Sequence, residues 1–141
     1  TSGHICFYSD KEKIIFTGDT LFSLGCGRVF EGTYQQMLES LNKIKNLPKQ
    51  TSIYCGHEYT KKNLDFCLEV ELNNPFLKEK KKWINLKISK KEPTIPVTIE
   101  EELNTNIFLR CDVPSVKKFL GMENSPGVEI FKKLRDLKDS F

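Results

Sequence analysis

Two side chains in this 141-residue sequence stand where a ligating or acid–base group is useful. Asp19 follows Ile14-Ile-Phe-Thr-Gly, and His57 follows Ile53-Tyr-Cys-Gly. Each β-prone run ends on a glycine, which lets the backbone turn sharply and face the next side chain into a cleft. An Asp oxygen and a His nitrogen both suit zinc, iron or manganese. Taken singly, an Asp after a strand is more often a turn or cap residue and a lone His is ambiguous, so their surroundings must decide. A third feature is Arg135 with Lys138, three apart on a predicted helix and therefore neighbours on one face. Spacing alone leaves open a solvated polar face or a grip on an anion.

Other reactive types are less informative. Cys6, Cys26, Cys55, Cys67 and Cys111 are scattered, with no CxxC pair. The pattern argues against a zinc ribbon or disulfide framework, and reduced thiols in a cytoplasmic setting are expected. No cysteine has a His–Asp partner at an interpretable spacing, so Cys26 and Cys55 read as small buried residues. The lysine run Lys78–Lys82 beside Trp83 is interrupted by Glu79, and helical spacing spreads its charges around the surface. It reads as a solvated face rather than a nucleic-acid patch.

The elements that must position these groups follow from pattern. Ile5 to Ser9 and Ile14 to Thr17 flank Asp10-Lys-Glu-Lys13 as a hairpin. Residues 20–32 have no clear period and read as a loop. Thr33-Tyr-Gln-Gln36 has capping-box spacing, and Tyr34, Met37, Leu38, Leu41 and Ile44 follow at helical intervals up to Pro48. Ser52 to Cys55 is a short strand. Beyond Thr60 the strand signal disappears: helices are predicted over 60–70 and 76–88, and an extended stretch over 92–97. A capping box at Thr98, a turn or two over 113–120 and a last helix with Ile130, Leu134, Leu137 and Phe141 on one face complete the pattern. The chain is thus α+β, with a predicted boundary between 1–59 and an all-helical 60–141. Three short strands and one helix cannot cover both faces of a sheet, so partner strands must come from another chain or a further segment.

Bulk properties narrow the class. Hydrophobic residues make up 38% and charged residues 29%, which suits a soluble globular protein with no membrane span. The net charge of +3 has its excess in residues 60–141, suited to a small anion and too weak for nucleic acid. A start at Thr1 rather than Met points to processing or to a piece of a longer protein.

Longer strings carry a resemblance. Thr17-Gly-Asp-Thr-Leu-Phe22, Gly25-Cys-Gly-Arg28, Phe30-Glu-Gly32 and Tyr54-Cys-Gly-His-Glu-Tyr59 resemble the metallo-β-lactamase superfamily, and within it glyoxalase II, the hydroxyacylglutathione hydrolases. Thr1-Ser-Gly-His-Ile5 is similar to the stretch after that family's third metal-binding histidine. Glu92-Pro-Thr-Ile-Pro-Val-Thr98, Glu101-Glu-Leu-Asn104, Asn106-Ile-Phe-Leu-Arg110 and Arg135-Asp-Leu-Lys-Asp139 resemble its helical extension. The likeness runs over essentially the whole chain.

The resemblance implies the C-terminal half of an αββα sandwich followed by a helical glutathione-binding domain. It makes Asp19 the carboxylate bridging two divalent metal ions (zinc, iron or manganese) and His57 a terminal ligand of one. Arg28, Phe30, Tyr59, Arg135 and Lys138 fall at glutathione contacts, with Arg135 and Lys138 on the glycine carboxylate. Phe30 stands where the family commonly has Tyr, which removes one hydroxyl contact. The implied reaction is hydrolysis of S-D-lactoylglutathione to D-lactate and glutathione, a step of methylglyoxal detoxification. The family's His-x-His-x-Asp-His cluster has no counterpart here, and His4 becomes a structural residue. Two ligands cannot hold a catalytic metal pair, so these residues alone are expected to be inactive. Two alternatives stand beside this one: a non-catalytic truncated glutathione-binding module, and a mono-iron enzyme like the persulfide dioxygenases, which lack the extension carrying Arg135 and Lys138.

Overall fold

A computed structural model describes residues 3–141; Thr1 and Ser2, the start of the stretch likened to the family's, lie outside them. Strands β1 (Phe7–Ser9) and β2 (Ile14–Gly18) form the expected antiparallel hairpin. Strand β5 (Ser52–Cys55) lies parallel to β2 after the crossover helix α1 (Tyr34–Lys45). Thr33 caps α1 through the predicted reciprocal bonds with Gln36. Because β2 and β5 run the same way, their C-terminal ends emerge at one edge. A bulge between Phe16 and Gly18 brings Gly18 opposite Cys55, and the Gly56 N–H donates to the Gly18 carbonyl at 2.8 Å. That is why two strand-end residues far apart in sequence meet.

Two expectations need correction. Residues 20–32 are not a plain loop: β3 (Leu21–Phe22) and β4 (Gly25–Cys26) pair antiparallel, and every residue from Thr20 to Gly27 is buried. Nor is the second half entirely helical. Helices α2 (Thr60–Val70) and α3 (Pro75–Ser89) are followed by β6 (Val97–Thr98), which pairs antiparallel with β5 and completes the sheet order β1-β2-β5-β6. Two residues are too few to show an alternating pattern. Helix α4 (Ile99–Thr105), a 3-10 turn (Ile107–Leu109), α5 (Pro114–Leu120) and α6 (Gly127–Asp139) complete the chain.

The sheet has two unlike faces. Ile15, Thr17, Ile53 and Val97 are buried against a core that also takes in Leu41, Leu64, Phe108, Ile130 and Leu134. That core is continuous from the sheet to the last helix. On the other face Phe7, Phe16 and Tyr54 lie in register across three strands. They are 65%, 54% and 37% exposed, and the Phe16 and Tyr54 rings are in contact at 5.5 Å. Such an apolar row on a sheet face calls for a covering layer, as expected of half a sandwich.

One anchor holds the turn after α2 to the rest of the helical region. Arg110 donates from Nε and Nη2 to the two oxygens of buried Glu71, at 2.9 and 3.0 Å. Burial alone would raise the Glu71 pKa, but Arg110, Ser115 and Asn74 outweigh it and hold the carboxyl below its ordinary range. A depressed acid pKa gives stability that is present at neutral pH and lost as pH falls through the folded value. Arg110→Ala should therefore cost about 3 kcal/mol in urea unfolding at pH 7, and the deficit should shrink below pH ~4.

Candidate functional site

Asp19 and His57 face one another at the strand edge, with His57 Nε2 3.3 Å from Asp19 Oδ1. The two glycines before them, equivalent in sequence, act differently. Gly18 has φ +52°, and a Cβ there would lie 2.5 Å from the His4 ring. Gly56 is outside the left-handed region, and its role is close approach: a Cβ would lie 2.8 Å from Asp19 Oδ1. His4 touches this turn and, exposed, lines the same cleft as Asp19 and His57. Its Nε2 is 3.2 Å from the Thr17 carbonyl and 3.3 Å from the Asp19 N–H; one ring nitrogen serves the first as donor or the second as acceptor, not both. The His57 ring stacks on Tyr59 at 4.9 Å, and Phe22 meets the Tyr59 edge at 5.0 Å. Between them Glu58 accepts from the Thr94 N–H (2.8 Å) and hydroxyl (2.6 Å), tying the His57 turn to the segment before β6.

The buried β3–β4 segment carries Asp19 before it and Arg28 after it. Buried backbone must find partners, and here the helices supply them. Glu102, fully buried on α4, accepts from the Leu24 N–H at 2.8 Å and the Ser23 hydroxyl at 3.2 Å. Asn106 donates to the carbonyls of Phe22 and Gly25, and Asn63 to that of Ser23. Cys67 donates to the Leu24 carbonyl, and Arg135 to that of Cys26 at 2.7 Å. Burial pushes the Glu102 carboxyl above its usual range despite these donors. Burial likewise lifts the Cys26 thiol to about 11, which leaves it inert as a nucleophile at neutral pH.

All seven residues singled out in the sequence line one cleft of about 1070 Å³: Asp19, His57, Arg28, Phe30, Tyr59, Arg135 and Lys138. Two groups line it: the pair Asp19 and His57, and a cation cluster of Arg28, Lys62, Arg135 and Lys138. Lys138 holds its ammonium 5.6 Å from the Phe66 and Phe141 rings. Its pKa is lowered by burial first, then by Lys62, Arg135 and Arg28. Arg135 differs from a free surface cation: it is 4% exposed, its Nε and Nη2 are committed to Asp139 at 3.0 and 2.8 Å, and it stacks over Phe108. At most two of its N–H groups remain for a ligand. Phe30 is 77% exposed at the cleft rim.

Sequence reasoning passed over Glu102, Asn106, Asn63, Glu58 and Asp139. Glu102 and Asn106 left a faint signal, since they stand in helical phase with Ile99, where apolar residues belong. Cys26 is buried as read, whereas Cys55 is only partly so.

The donor set can be tested against a metal. Zinc held at about 2.0–2.1 Å in tetrahedral geometry puts neighbouring donor atoms about 3.3 Å apart. The Asp19 Oδ1 to His57 Nε2 separation is 3.3 Å, so the pair fits one edge of such a site. Among the described residues no group of three or more His, Cys, Asp and Glu could hold a metal, so any further donors lie elsewhere.

Residues 1–57 match the model of the metallo-beta-lactamase superfamily, which defines the class of fold and implies divalent metal. Residues 58–141 match the hydroxyacylglutathione hydrolase C-terminus. Similar relatives named hydroxyacylglutathione hydrolase include those of Pelagibacter ubique, 57% identical over 100% of this chain and 53% of the relative, and of Chelativorans sp., 50% identical over 100% and 55%. That of Rhodopseudomonas palustris is 46% identical over 99% and 55%. The chain belongs to the hydroxyacylglutathione hydrolase family, and it spans about half the length of the curated relatives it matches. Among the described residues no helix is long and apolar enough to cross a membrane.

Proposed function

We propose that these 141 residues form the metal-bridging and glutathione-gripping part of a cytoplasmic thioester hydrolase. Its substrate is S-D-lactoylglutathione, and its place is in methylglyoxal detoxification. The observation that carries this is one cleft lined by both a ligand pair and a cation cluster. Asp19 and His57 would hold part of a divalent metal pair of zinc, iron or manganese. When bound, such ions make water nucleophilic at neutral pH and polarise a carbonyl. The chain's own residues do the rest. The Phe22–Tyr59–His57 ring cluster walls the acyl end, where Tyr59 also meets the peptide. Arg28 and Lys138 reach the carboxylates of glutathione, and Arg135 fixes the floor between them and offers its remaining N–H groups. Phe30 stacks at the rim. Hydrolysis adds water across the C–S bond, so the acyl carbon leaves as lactate and the sulfur as the glutathione thiol. The remaining ligands come from outside these residues, and the residues alone hydrolyse nothing.

The scarcity of metal ligands among the described residues favours one second reading, a glutathione-binding module without catalysis. Both readings require the cation cluster to bind glutathione. In calorimetry, S-methylglutathione should bind this chain with submillimolar Kd without metal. No heat of binding at millimolar ligand would reject both.

A further inference from the structure

Asp139 is a carboxylate placed among the cations of the cleft, and the family resemblance gives it no role. Its Oδ1 takes Arg135 Nε at 3.0 Å and Nη2 at 2.8 Å. The same oxygen lies 3.6 Å from Arg28 Nε. These contacts differ in kind. The first is a pair of charge-assisted bonds to a buried guanidinium that is also fixed by the Cys26 carbonyl and the Phe108 ring. The second is an ion pair too long for a hydrogen bond, between side chains 56% and 38% exposed. Exposed pairs of that sort are weak and exchange easily. Arg135 is therefore set, while Arg28 is parked.

We propose that Asp139 is a built-in competitor for the ligand's carboxylate, a positioning residue that occupies Arg28 in the empty cleft and yields it to an incoming carboxylate. This rests on the reading that the cleft takes an anionic glutathione derivative, and it deepens that reading by naming what sets affinity and charge selectivity. The competitor weakens binding of any anion, and it keeps the cationic end from retaining a carboxylate product too tightly. Chemistry supports the direction. Asp139→Asn keeps an oxygen at Oδ1 for Arg135, so the guanidinium stays oriented, while the negative charge that holds Arg28 and opposes an anion is removed.

The test is calorimetry on the 141-residue chain with S-methylglutathione, which has both carboxylates and no hydrolysable acyl group, and with its diethyl ester, which has neither carboxylate. Asp139→Asn should bind S-methylglutathione about 3- to 10-fold more tightly at low salt, with a steeper salt dependence. The ester, which keeps only the ammonium, should bind the variant no more tightly than wild type. A purely structural role would move both ligands together and leave the salt dependence unchanged. Unchanged or weaker binding of S-methylglutathione by a folded Asp139→Asn protein, with wild-type binding intact, overturns the competitor while sparing the parent reading. No binding by wild type overturns both.

Discussion

Glu102→Ala should lower unfolding free energy by at least about 3 kcal/mol at pH 7, while Glu102→Gln should cost nothing there and gain stability. The Ala variant strips an acceptor from three buried donors: the Leu24 N–H, the Ser23 hydroxyl and the Asn106 amide. Each orphaned donor costs about 1–3 kcal/mol. A Gln keeps an oxygen for Leu24 and Asn106 and turns its NH₂ to the Ser23 oxygen, so the network closes without a buried charge. The sign with pH follows from the raised Glu102 pKa. An acid whose folded pKa lies above its unfolded value contributes stability fully present below the unfolded value, about 4.5, and lost as pH rises through the folded one. The advantage of Gln should thus be present at pH 7 and vanish near pH 4. Urea unfolding at the two pH values checks it; equal loss in the Ala and Gln variants would show that the charge itself is required.

The second large effect concerns Gly56. In the assembled enzyme proposed above, Gly56→Ala should lower kcat/KM for the thioester by about 100-fold. The added methyl would sit 2.8 Å from Asp19 Oδ1 and 3.2 Å from the Gly18 carbonyl. The first contact pushes the carboxylate off its line to His57, and the second strains the bond that registers the two strand ends. A ligand displaced by a fraction of an ångström mispositions whatever it holds. Gly3→Ala is the control, since a Cβ there meets nothing within 4 Å, and it should leave kinetics unchanged. Kinetics of Gly56→Ala within threefold of wild type would mean that Asp19 is not where the reaction needs it.

Both effects turn on contacts the sequence half discloses. The strand-end positions of Asp19 and His57 were legible because a β-prone run closed by glycine is a local pattern. Their meeting was implied by the resemblance and not by local pattern, since it depends on β2 and β5 being parallel neighbours and on the bulge at Gly18, both set by pairing across a crossover. The capping boxes at Thr33 and Thr98 were legible for the same local reason. The burial of 20–27 was not. That segment looks like a loop because its turns satisfy few of their own backbone groups, and the partners that allow it to be buried, Glu102, Asn106, Asn63 and Arg135, come from helices far along the chain. Arg135 shows the limit most clearly: spacing placed it beside Lys138 on one helix face, yet both line the cleft with the guanidinium buried and bonded to Asp139 and Cys26.

The account is tested most directly by joining these 141 residues to the portion of the Pelagibacter ubique relative that they do not match, loading the chimera with zinc and measuring hydrolysis of S-D-lactoylglutathione. The account predicts thiol release that is abolished by Asp19→Asn and, at subsaturating substrate, reduced by Arg28→Ala. A folded, metal-loaded chimera that releases no thiol above the enzyme-free blank, or one whose rate survives Asp19→Asn, would contradict it.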